Sequence, residues 1–83
     1  MTKTEKRPIY EIAQDIRKDW SKIGKGVSPH AKPYLDAMLT LNSIEDRYFM
    51  DSADSIVRYF LSNAQHYRGD TAKALKAELK SLL

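Results

Sequence analysis

The stretch from Asp51 to Leu83 constrains the fold most, because two helical patterns follow one another there with little room between them. Apolar residues first recur every three or four positions, as on one face of a helix: Ala53, Ile56, Val57, Phe60, Ala64 and Tyr67. Gly69 then offers a left-handed helix stop, and Asp70 can cap the next helix. A second apolar stripe follows on Ala72, Leu75, Leu79 and Leu82. We therefore predict helices over 52–67 and 71–82 that turn sharply against each other at a tight junction.

Two further helical patterns lie in the first half of the chain. One apolar face begins after Pro8, which suits a first helical turn, and ends at Gly24 and Gly26. Its residues are Ile9, Ile12, Ala13, Ile16, Trp20 and Ile23. The other face comprises Tyr34, Leu35, Met38 and Leu41. The sequence thus predicts four short helices.

Two connections between these helices have sequence patterns of their own. Pro33 would clash with a helix that ran through residues 28–33. Either a separate turn precedes a helix that starts at Pro33, or one helix is kinked there. Residues 44–50 are too apolar for a free loop, so we expect Ile44 and one aromatic residue to cover the core.

The fold class predicted from these patterns is all-α, a compact bundle of four short helices around one core. No strand pattern is evident in the 83 residues. We expect a single helical domain over 8–83 and a flexible basic tail over 1–7. No apolar run approaches the roughly 20 residues that cross a bilayer, and the chain starts with polar residues rather than a signal peptide. We therefore expect a cytoplasmic protein with no membrane contact.

The reactive side chains form no pattern typical of catalysis, which needs a nucleophile, a base and an orienting group to converge. His30 and His66 fall in different elements, and neither has a carboxylate at helical spacing. The sequence has no cysteine, no closely spaced histidine pair and no calcium-loop pattern. We predict no enzyme activity, no metal site and no cofactor.

The densest acidic group consists of Glu45, Asp46, Asp51 and Asp54. It could hold a hard cation or contact a basic partner. Helix capping explains most of it, because acidic residues are favoured in a first helical turn. Asp51 then caps the third helix, and Asp54 pairs with Arg58 one turn later.

A basic stripe follows the fourth helix. Lys73, Lys76 and Lys80 share one face, and Arg68 comes just before it. Such a face can neutralise phosphates, although an ordinary solvated helix looks similar. The net charge of +3 is low for a nucleic-acid binder, and Glu78 interrupts the stripe. A weak, non-specific nucleic-acid contact is the second functional hypothesis.

The outer face of the third helix is unusually neutral, since a face turned fully to water normally carries Lys and Glu. Its residues are Ser52, Ser55, Tyr59, Ser62, Asn63 and His66. Either another helix covers this face inside the fold, or it contacts a second protein through Tyr59. We take these residues as the candidate protein interface.

The chain also resembles short helical orphan proteins encoded in tailed-bacteriophage genomes. The resemblance rests on Ile12-Ala13, Ile16-Arg17, Asp19-Trp20, Pro33-Tyr34-Leu35-Asp36-Ala37-Met38, Asp51-Ser52-Ala53, Ser55-Ile56-Val57, Tyr59-Phe60-Leu61, Arg68-Gly69 and Lys76-Ala77-Glu78-Leu79-Lys80. It implies a protein made inside an infected bacterium and carries over no catalytic residue. Such proteins often bind and modulate a host protein. The leading hypothesis is therefore a non-enzymatic module that binds a host or defence protein or a second copy of itself.

Overall fold

The computed structural model of the chain describes residues 7–83, which form four α-helices and one two-stranded hairpin. The elements are α1 (Ile9–Trp20), α2 (Lys32–Met38), β1 (Arg47–Tyr48), β2 (Asp51–Ser52), α3 (Ala53–Ser62) and α4 (Asp70–Ser81). The mostly helical fold is confirmed. The all-α prediction is wrong at the hairpin, because strands of two residues are too short to leave an alternating pattern in the sequence.

A single apolar core joins the four helices. α4 packs mainly on α1, α3 packs mainly on α2, and α1 contacts α2. The aromatic and aliphatic side chains of Trp20, Phe60, Leu75 and Leu79 are all buried in this core, as the sequence predicts. Trp20 and Phe60 meet edge to face, with ring centroids 6.2 Å apart. The helices therefore pack in the order α4, α1, α2, α3, with α1 and α2 as the inner pair.

The prediction of a tight junction between the third and fourth helices is wrong. α3 ends at Ser62, and residues 63–69 connect it to α4. The side-chain amide of Asn63 donates to a carbonyl one turn earlier, at 2.8 Å, which competes with continuation of the helix. Ala64 and Tyr67 are nevertheless fully buried. Their burial at helical spacing explains why the connector resembles helix in the sequence.

The N-caps of α3 and α4 each differ by one position from the predicted residues. Gly69 has a positive φ of 121°, but it precedes α4 rather than ending α3. Asp70 is the first residue of α4 and makes no capping hydrogen bond with its side chain. Ser52, not Asp51, caps α3, because its side chain accepts a hydrogen bond from the Ser55 N–H.

The ambiguous segment 28–33 forms a separate turn. The N–H groups of Ala31 and Lys32 both donate to the Ser28 carbonyl, at 3.0 and 2.9 Å. α2 then begins at Lys32, with Pro33 in its first turn, where a missing N–H is tolerated.

α1 begins after Pro8 as predicted, but its C-terminal end differs from expectation. The helix stops at Trp20 and continues as turns toward two glycines with positive φ, so Ile23 is 37% exposed rather than part of the core. Of the predicted tail, residues 1–6 lie outside the described part of the chain. Arg7 donates to both carboxylate oxygens of Glu78, at 2.7 and 2.8 Å, and to Asp15 at 2.7 Å. These contacts raise the pKa of Arg7 and connect the start of α1 to α4.

The segment between α2 and the hairpin covers the core as predicted. Ile44 and Tyr48 are half-buried and pack against the buried cluster. The chain then reverses direction in the hairpin, where Tyr48 pairs with Asp51.

Candidate functional site

The most exposed apolar side chains that the structure describes lie at the tip of the hairpin. Phe49 is 84% exposed and Met50 is 91% exposed. Both form the two-residue turn between β1 and β2. We call these two residues the apolar tip.

The apolar tip is also a point of backbone strain. Phe49 has φ of +55°, and within residues 7–83 no other non-glycine residue has a positive φ. Two-residue hairpin turns normally place glycine where φ is positive. An L-residue with a side chain pays about 1–2 kcal/mol in that conformation. The Phe49 ring contacts only its neighbour Tyr48 among the aromatic rings, edge to face at 4.7 Å.

Sequence reasoning expected one aromatic residue of this segment on the core and did not predict the exposed tip. The available signal was the run Tyr48-Phe49-Met50, which lacks the Gly, Asn or Asp of an ordinary hairpin turn.

Charged residues of both signs lie next to the apolar tip in the chain. Arg47 and Asp51 belong to the two strands of the hairpin, and both are exposed. Glu45 is exposed outside the hairpin, where it lines a depression with Arg7 and Leu82. The hairpin therefore carries one charge of each sign.

The other two carboxylates of the acidic group have local partners. Asp46 accepts hydrogen bonds from the N–H groups of Asn42 and Ser43, which lower its pKa. The Ser52 hydroxyl donates to Asp54 and is the main cause of its lowered pKa; Arg58 adds to this effect from 3.6 Å, which confirms the predicted pair. Within residues 7–83, no three side chains of the metal-binding types come together.

The candidate protein interface is only partly exposed. Tyr59 is 52% exposed, and its ring lies against the ring of Tyr34, with centroids 5.6 Å apart. α2 therefore covers half of this tyrosine and leaves the other half open. Ser52 and Ser55 are half-buried, and their hydroxyls lie 2.9 Å apart.

The remaining members of that interface lie at the far end of α3. Ser62 is exposed, Asn63 is half-buried, and His66 is exposed in the connector rather than on the helix. They line a shallow depression of about 160 Å³ together with Ser28, His30 and Gln65. The fold thus brings to one depression two histidines that the sequence places in separate elements. No carboxylate lines it.

The four basic residues predicted as a nucleic-acid contact do converge. Arg68, Lys73, Lys76 and Lys80 line one open groove of about 440 Å³, together with Tyr67, Gly69 and Ala77. We call it the basic groove. No acidic residue lines it.

Two residues form the fixed part of the basic groove. The Lys76 ammonium lies 5.6 Å from the centre of the Tyr67 ring. Partial burial lowers the pKa of Lys76, and repulsion from Arg68 and Lys80 lowers it further. The Tyr67 ring stacks on Trp20 at 4.7 Å, and its hydroxyl donates to Asp19 at 2.7 Å. Burial and this carboxylate raise the pKa of Tyr67.

Comparisons of the chain with protein-family models, curated proteins and solved structures find no match. The functional argument therefore rests on the surfaces described above. Among residues 7–83, no helix has the length and apolar character needed to span a bilayer.

Proposed function

We propose that this chain is a non-enzymatic protein-binding module whose apolar tip is the anchor of the interface. The exposure of Phe49 and Met50, at 84% and 91%, is the observation that carries the proposal. Large aromatic and methionine side chains are enriched in the centres of protein interfaces. In the free chain these two side chains bury little surface, so their apolar area contributes little to the stability of the fold.

The strained turn supports the same reading. A hairpin optimised for stability would carry glycine at position 49, where φ is +55°. Strained backbone and exposed apolar groups tend to occur together at functional sites rather than at structural ones. We therefore infer that Phe49 contacts a partner outside the chain.

The surroundings of the apolar tip indicate the chemistry of the partner. Arg47 and Asp51 are exposed on the strands that carry the tip, so the partner should offer an apolar pocket with charged groups of both signs at its edge. Ser52 joins the hairpin to α3, and the half-exposed Tyr59 lies about two turns further along that helix. A contact of about 800 Å² per partner is of ordinary size for a specific complex.

The absence of converging catalytic groups supports a binding role. In the described part of the chain, the two histidines share a depression that no carboxylate lines. The resemblance to small phage proteins suggests the setting. The module would act in the cytoplasm of an infected bacterium, on a host or defence protein.

Quantitative capture from bacterial lysate tests the proposal. Three baits are compared: the wild-type chain, the double variant Phe49→Ser/Met50→Ser, and a control, Ile23→Ser/Leu83→Ser. The control removes two exposed apolar side chains elsewhere, at 37% and 44% exposure. We expect one protein to be retained by the wild type and the control and lost from the tip variant. The purified pair should then form a complex of fixed stoichiometry.

Three outcomes contradict the proposal. One is capture that is equal for the tip variant and the wild type. Another is self-association of the pure chain that is lost in the tip variant, which would make the tip a homodimer contact. The third is tip-dependent binding to anionic lipid vesicles with no protein partner. Tyr59→Asp is expected to weaken the complex less than the tip variant, because Tyr34 already covers part of the ring.

A further inference from the structure

We propose that the basic groove is a second binding site, which takes the phosphodiester backbone of duplex nucleic acid. Its four cations, Arg68, Lys73, Lys76 and Lys80, come from the connector and from α4 and line one groove with no carboxylate. None of its residues belongs to the apolar tip, so this site is independent of the proposed protein contact.

The fold removes the acidic side chains that the sequence places near this groove. Glu78 interrupts the basic stripe in the sequence, but its two oxygens accept hydrogen bonds from Arg7, which precedes α1, and Glu78 does not line the groove. Asp19 binds the Tyr67 hydroxyl and lines a different depression, with Lys18 and Lys22. Asp70 follows Gly69 and is exposed at the start of α4, but it does not line the groove. The residues that line the groove therefore carry four positive charges and no negative one.

The cations of the groove repel each other in the free protein. Partial burial lowers the pKa of Lys76 most, and the charges of Arg68 and Lys80 lower it further. An anion in the groove would offset the repulsion among these cations. Gly69 adds bare backbone at the edge of the groove, with open space where a side chain would begin, so a phosphate can approach the main chain closely.

The shape of the groove favours a duplex over a single strand. Single-strand sites stack bases on exposed aromatic rings. The only ring that lines this groove, Tyr67, is fully buried and already stacked on Trp20. Lys73 and Lys80 are seven residues apart on α4, which is about 10 Å along a helix. Such a row covers about three phosphates of one strand along a duplex axis.

The number of cations limits the affinity. Each neutralised phosphate contributes about −0.9 to the slope of log K against log salt for duplex DNA. Four cations therefore predict a slope of about −3.6 and binding in the range of about 1–100 μM at physiological salt. The proposal assigns all four cations to phosphates, which carry no sequence information, so we expect no sequence preference.

Fluorescence anisotropy with a labelled duplex of about two helical turns tests this site over a series of salt concentrations. The groove variant is Lys73→Gln/Lys76→Gln/Lys80→Gln. The control Lys18→Gln/Lys22→Gln/Lys25→Gln removes the same charge from α1 and the turns after it. Thermal melting of both variants serves as the control that they fold. The tip variant Phe49→Ser/Met50→Ser should bind the duplex like the wild type.

We expect a slope near −3.6 for the wild type and near −0.9 for the groove variant, which keeps only Arg68. The groove variant should bind the duplex at least about tenfold more weakly than the control at low salt. Equal weakening of both triple variants would overturn the proposal, because it would reduce the effect to net charge. A single strand that binds more tightly than the duplex would overturn it as well.

Discussion

Substitutions of Phe49 separate the effect of this side chain on the stability of the fold from its effect on partner binding. Phe49 holds φ of +55° with its ring against Tyr48 and 84% of its surface exposed. We expect Phe49→Gly to leave the stability of the protein nearly unchanged. Phe49→Ala should destabilise it, although alanine is normally the better residue in ordered structure.

The magnitudes follow from three terms. Glycine relieves about 1–2 kcal/mol of left-handed strain. It loses about 0.4–1 kcal/mol through the greater entropy of the unfolded chain. Both replacements lose the contact with Tyr48, worth about 0.5–1.5 kcal/mol. For Phe49→Gly the net change in the free energy of unfolding is close to zero. Phe49→Ala keeps the strain and lowers the free energy of unfolding by about 0.5–1.5 kcal/mol.

Thermal and urea unfolding of the two variants measure this difference, which corresponds to about 4–8 °C per kcal/mol in a domain of this size. Ala74→Gly serves as the control, because Ala74 is exposed within α4 and should lose about 1 kcal/mol. If Phe49→Ala is as stable as Phe49→Gly or more so, Phe49 does not hold a strained left-handed conformation and the reasoning fails.

Three further predictions concern the rest of the fold. Phe60→Ala should cost about 3–5 kcal/mol because the ring is fully buried against Trp20; a loss under about 1 kcal/mol in thermal melts would place Phe60 outside the core. Gly69→Val should destabilise the chain because φ there is 121°, and stability equal to the wild type would contradict that conformation. Asp46→Ala should lower the melting temperature at neutral pH. The folded pKa of Asp46 is depressed, so its contribution is present above the unfolded value and is lost as pH falls; melts of both proteins should converge in acid.

The sequence predicted the helical core well, because burial on a helix repeats every three or four residues. Trp20, Phe60, Leu75 and Leu79 are buried as that spacing indicates. The same reasoning extended α3 too far, since Ala64 and Tyr67 continue the spacing from within a connector. Periodicity reports which side chains are buried and does not report whether the backbone between them stays helical.

The functional surfaces were predictable to different degrees. The basic groove could be listed residue by residue, because three of its lysines share a face of one helix. The sequence could not predict that Glu78 pairs with Arg7, because the two residues are distant in sequence. The apolar tip was missed because the run Tyr48-Phe49-Met50 lacks the Gly, Asn or Asp that normally marks a hairpin turn.

The affinity of the captured partner for Phe49→Gly tests the central claim most directly. Isothermal titration calorimetry on the purified partner gives this dissociation constant beside that of the wild type. Loss of an interface anchor worth about 2 kcal/mol predicts binding about 30-fold weaker, with a melting temperature close to that of the wild type. Unchanged affinity for the Phe49→Gly chain would contradict the account.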